Sequence, residues 1–90
     1  MNTFVSACDR EQGWLLDALR ALVARESPST DRDALESCAV ELVSVLGRAG
    51  ATVTRVTAES TAAHVVAEWP GGGPRILLVG HFDTVWPVGQ

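Results

Sequence analysis

The stretch RILLVGHFDTVWPVGQ, residues 75–90, decides how the chain is read. Ile76, Leu77, Leu78 and Val79 are consecutive large apolar side chains, followed by Gly80, His81 and, two positions later, Asp83. Successive side chains of a strand point to opposite faces. A run that is apolar on both faces therefore predicts a strand covered from both sides, of the kind found centrally in layered α/β sheets. At its carboxyl end His81 and Asp83 share one face, while Phe82 points the other way into packing. Open α/β sheets place their ligand sites beyond the carboxyl ends of their strands. This tip is the candidate functional site.

Working back along the chain, PGGGP (70–74) reads as a loop, AHVVAEW (63–69) as a second strand and TVTRVT (52–57) as a first. The first is rich in β-branched residues and half exposed because of Arg55, and a short turn around Glu59 and Ser60 joins the two. Gly71 to Gly73 could suggest a phosphate cradle, but no G-x-x-x-x-G-K-S/T pattern follows, and a turn is favoured. Two helices precede the strands. Asp9 with Gln12 reads as a capping box, and Trp14, Leu15, Ala18, Leu19, Leu22 and Val23 then recur with helical period. Pro28 disfavours helical geometry at Ser27 and ends that helix. Ser29, Thr30 and Asp31 are each competent to cap a second helix, which carries Leu35, Cys38, Ala39, Leu42, Val45, Leu46 and Ala49 on one face. Arg48 suits its negative end, and Gly50 can take a left-handed cap. The expected order is two helices, then three strands, in an α/β fold. The third strand, central by its pattern, lacks a partner on one flank, which predicts a further strand in a longer chain.

Ninety residues make one small domain or a piece of a larger one. An apolar fraction of 47% with 20% charged residues is globular rather than disordered. A net charge of −4 argues against nucleic acid, which favours a clustered basic face. The segment MNTFVSACDREQG has neither the basic nor the apolar region of a secretory signal. No apolar stretch approaches the roughly 20 residues of a membrane helix. Cys8 and Cys38 lack C-x-x-C spacing and are expected to be buried or idle thiols. A cytoplasmic protein is the expectation, with no nucleic-acid or membrane partner.

The chemistry available at the tip is that of an oriented imidazole. A carboxylate two residues from a histidine can hold one ring nitrogen and leave the other free, as around metal-bound histidines. Gly80 lets backbone or metal come close. Spacing alone leaves a metal ligand and an ordinary His–Asp pair both open. The segment ILLVGHFDTVWPVG resembles the first signature of the zinc-dependent metallopeptidases that include glutamate carboxypeptidase, acetylornithine deacetylase, succinyl-diaminopimelate desuccinylase and aminoacylase. The preceding chain is similar too, with a helix, a Ser-Pro-Ser break, a helix ending in Gly, then AEWPGGGPRILL. The Trp-Pro-x-Gly continuation most resembles the glutamate carboxypeptidase branch, and the likeness runs from about Trp14 onward.

That resemblance implies that residues 1–90 are the N-terminal portion of an incomplete, layered helix/mixed-sheet/helix catalytic domain. It implies that His81 is the first histidine ligand of a two-zinc centre and that Asp83 is the active-site aspartate bonded to it. In the family the metals polarise the scissile carbonyl and generate hydroxide, while a glutamate acts as general base. The other ligands, that glutamate and a smaller domain that commonly mediates dimerisation all lie downstream of Gln90 by this comparison. The expected function is hydrolysis of an amide bond next to a C-terminal amino acid, with small peptides as substrates, zinc as cofactor and a homodimeric full-length protein. The ninety residues alone are expected to be inactive. An N-acyl-amino-acid deacylase and a non-catalytic binding or regulatory module are the alternatives.

Other residues have plainer readings. His64 reads as an ordinary edge or surface histidine and Trp69 as packing, whereas Trp86 is open between packing and a pocket wall. Thr84 and Val85 steer the loop. Asp9, Glu11 and the carboxylates of the second helix read as a solvated face.

Overall fold

The computed structural model describes residues 3–56, 63–86 and 89. Within them the chain runs α1 (Thr3–Arg10), α2 (Gln12–Ala24), α3 (Arg32–Arg48), β1 (Thr52–Val56) and β2 (His64–Glu68). The helix expected to open at Asp9 starts earlier, and Asp9 lies inside α1 rather than capping anything. Helical bonds cross the junction, with Glu11 N donating to the Ala7 carbonyl (3.1 Å) and Leu15 N to that of Glu11 (2.9 Å). No Pro or Gly precedes Gly13, so nothing in the backbone stops the helical run at Asp9.

α3 is bounded as its sequence predicts. Of the three candidate caps Asp31 takes the position, in extended geometry, its carboxylate accepting from Ala34 N at 3.0 Å. At the other end Gly50 adopts φ 96°. Gly50 N bonds the Gly47 carbonyl (3.0 Å) and Ala51 N that of Leu46 (3.1 Å), the paired bonds of a Schellman ending.

β1 and β2 pair antiparallel, with Val53 opposite Ala67 and Val56 opposite His64. Val53, Val65 and Ala67 are the half-buried positions, and the residues between them are exposed, the alternation of a sheet covered on one face. That face meets α3. Glu36 and Trp69 fasten it. Glu36 of α3 accepts from Ala63 N at 2.8 Å and pairs with Arg55 of β1. Trp69 donates its indole N–H to the Ala49 carbonyl at 3.0 Å, beside Gly50. Glu36 is therefore structural, although the helix carboxylates read as solvated. Glu41 likewise lies 3.9 Å from both Arg25 and Arg48. Among the described residues the buried apolar ones are Ala18, Leu35, Cys38, Ala39, Val45 and Ala63, drawn from α2, α3 and the foot of β2.

The expected third strand is absent among the described residues, so two helices and three strands become three helices and two strands. Ile76, Leu77, Leu78 and Val79 join no ladder and are 85–88% exposed. A strand exists only where a neighbour supplies N–H and carbonyl partners, and nothing described lies alongside this run. The mixed α/β class stands. The turn expected around Glu59 and Ser60, and Pro87 and Val88 of the Trp-Pro-x-Gly continuation, lie outside the described residues.

Candidate functional site

His81 and Asp83 are positioned by the connection between α2 and α3. Thr84 forms a parallel bridge with Pro28. Its N–H donates to the Ser27 carbonyl (2.7 Å), and its carbonyl accepts from Ser29 N (2.8 Å). In this arrangement the residues flanking Pro28 make the bonds, so proline's missing N–H costs nothing. Ser27 is buried, 4% exposed, and donates its hydroxyl to the Phe82 carbonyl at 2.5 Å. Further along, the Glu26 carboxylate accepts from Gly89 N at 2.9 and 3.1 Å. The Ser-Pro-Ser break thus holds the His-x-Asp segment from the side, without help from the sheet.

The imidazole of His81 is 83% exposed. Its Nδ1 lies 3.1 Å from Asp83 Oδ1 and 3.0 Å from the Asp83 carbonyl. Both are acceptors, so Nδ1 carries the proton and a neutral ring keeps its lone pair on Nε2. Asp83 Oδ2, in turn, accepts from the Ser29 hydroxyl at 2.6 Å. The bond from that hydroxyl is the foremost cause that draws the Asp83 carboxyl below its ordinary value, with partial burial opposing and the nearby His81 adding to the lowering.

The loop borders an open cavity of about 1240 Å³. His81, Asp83 and Trp86 line it together with His64 and Val65 of β2 and Cys38 of α3. Trp86 is thus a wall residue, whereas Trp69, at the far end of the hairpin, is exposed and bonds the Ala49 carbonyl rather than packing in a core. His64 is exposed on β2 and shares the cavity with His81. Cys8 and Cys38 are free thiols.

At the loop tip, His81 offers one ring nitrogen and Asp83 the carboxylate that holds the other. No group of three or more His, Cys, Asp or Glu side chains capable of holding a metal occurs among the described residues. A catalytic zinc takes three protein ligands and a water. The described residues therefore do not make a zinc site on their own. Comparison with family models, curated proteins and solved structures finds no match. Sequence reasoning missed Ser27, Ser29 and Glu26. The available signal was a proline flanked by two serines, a pattern compatible with a bridge at an unpaired backbone edge.

Proposed function

We propose that this chain carries the opening ligand segment of a zinc-dependent amide hydrolase of the glutamate carboxypeptidase-like type. His81 is a metal ligand and Asp83 the carboxylate that orients it. The observation that carries this reading is the bond from His81 Nδ1 to Asp83, which leaves Nε2 as the accepting nitrogen beside an open cavity. Asp83 holds the proton at Nδ1, and the Ser-Pro-Ser bridge fixes the loop that presents both residues. When bound, zinc would supply Lewis acidity toward a carbonyl and a hydroxide near neutral pH. A catalytic zinc takes three protein ligands and a water, so on this reading further ligands and a general base join His81 at the metal. In the layered helix/mixed-sheet/helix domain of this proposal, residues 76–79 are a central strand, which fits their apolar character on both faces. A small peptide cut before its C-terminal residue is the proposed substrate, on the Trp-Pro-x-Gly likeness, with a homodimeric full-length enzyme in the cytoplasm. No helix among the described residues is long and apolar enough to cross a membrane.

Zinc titration of the purified chain by calorimetry tests this. Weak binding is expected, abolished by His81→Ala and reduced by about tenfold in Asp83→Asn, the low end of effects from residues that orient a ligand. No binding, or binding that survives His81→Ala, overturns the assignment of His81.

A further inference from the structure

Ser27 and Ser29 both hold the loop that carries His81, but they hold different things. The Ser27 hydroxyl bonds a backbone carbonyl, that of Phe82. Ser29 ties the backbone with its N–H, 2.8 Å from the Thr84 carbonyl, so its hydroxyl is not needed for the bridge. That hydroxyl lies 3.0 Å from the same carbonyl and closer, 2.6 Å, to Asp83 Oδ2. A single hydroxyl proton favours the nearer, charged acceptor. Asp83 Oδ2 is also the oxygen that His81 does not use, since the ring nitrogen sits against Oδ1. The three side chains form one line: Ser29 donates to one carboxylate oxygen, and His81 donates to the other.

We infer that Ser29 is a positioning residue for His81, fixing through Asp83 the Nδ1–H tautomer that leaves Nε2 as the free ligand nitrogen. Asp83 is partly exposed, and an aspartate on such a loop can rotate away from its neighbour unless its second oxygen is anchored. Ser29 supplies that anchor from the α2–α3 connection, 54 residues away in sequence. The carbonyl of Asp83, 3.0 Å from Nδ1, supports the same tautomer and would keep part of the preference without the hydroxyl. The predicted consequence of losing Ser29 is therefore a shift in tautomer population rather than a complete switch.

The inference gives Ser29 its purpose through the reading of His81 as a ligand, and it is tested without metal so that the two can fail separately. The ¹⁵N-histidine-labelled chain is recorded in long-range ¹H–¹⁵N spectra at a pH where the rings are neutral, with His64→Gln assigning the two rings. The wild type is expected to show His81 as the Nδ1–H form. Ser29→Ala raises the ratio of Nε2–H to Nδ1–H by a factor of roughly 2–10, the worth of one hydrogen bond. Ser29→Thr, which keeps the hydroxyl, restores the wild-type ratio. Ser27→Ala, which removes a tie to backbone only, leaves it unchanged. If Ser29→Ala does not fold, the near-isosteric Ser29→Cys, a weaker donor, is expected to give an intermediate ratio. A predominantly Nε2–H ring in the wild type overturns the inference. So does an unchanged ratio in the Ala or Cys variant, or an equal shift in Ser27→Ala and Ser29→Ala, which would mark Ser29 as merely structural.

Discussion

Asp83 accepts from a different partner on each carboxylate oxygen, and both contacts favour its charged form. The bond from the Ser29 hydroxyl is the foremost cause and His81 adds to it, so the carboxyl is drawn below its ordinary value of 3.8. The direction fixes the pH dependence. A depressed folded-state pKa stabilises the loop fully above pH 3.8, and that contribution is lost as pH falls through the lowered value. A ¹³C-carboxyl titration is expected to place the Asp83 midpoint below 3.8 in the wild type and to return it toward 3.8 in Ser29→Ala. A wild-type midpoint above 3.8 contradicts the bonding described. At this scale the sequence was legible where partners are close. The two-residue spacing of His81 and Asp83 brings them together even though no strand forms around them. Ser29 was not legible, because local rules offered it a helix cap, a role that Asp31 took, while its real partner is 54 residues away.

Among the elements, one carboxylate makes two of the contacts that join the hairpin to α3. Glu36 satisfies Ala63 N, in a buried residue, and pairs with Arg55 across an exposed surface. Leaving a buried N–H without an acceptor costs about 1–3 kcal/mol, whereas an exposed ion pair contributes about 0–1 kcal/mol. Urea denaturation should therefore show Glu36→Ala destabilised by about 1–3 kcal/mol and Arg55→Ala by less than about 1 kcal/mol. Equal effects from the two variants would mean that the ion pair, not the backbone bond, joins the elements. The contrast also shows why some elements could be read and others could not. The capped ends of α3 and the β-branched first strand of the hairpin are written in neighbouring residues, and both form as expected. Glu36 looked like part of a solvated face because its partners come from 19 and 27 residues away. The run at 76–79 states that it is suited to burial on both faces, but apolar character does not specify what pairs with it.

Over the whole molecule, the buried apolar set is small and contains no fully buried large side chain among the described residues, while Ile76, Leu77, Leu78 and Val79 stand 85–88% exposed. Leu19, Val23, Val85 and Trp86 add further exposed apolar area. Unpaired, uncharged apolar backbone of this kind is a template for pairing between chains. The purified chain is therefore expected to associate with rising concentration in sedimentation velocity. Leu77 and Val79 lie two residues apart and share a face when the backbone is extended, so Leu77→Lys with Val79→Lys places charge along one side of the run. Leu78→Pro instead removes a backbone donor and leaves the neighbouring side chains in place. Both variants should shift the chain toward monomer. Neither should disturb the Pro28–Thr84 bridge, since residues 77–79 make no hydrogen bond to that connection. The His81 tautomer provides the control: unchanged in both variants, it would show that the site folds independently of the run beside it. A wild-type chain that sediments as a monomer at high concentration would contradict the argument. Loss of association in the lysine variant alone would assign it to apolar side-chain contact, and loss in the proline variant as well would assign it to backbone pairing.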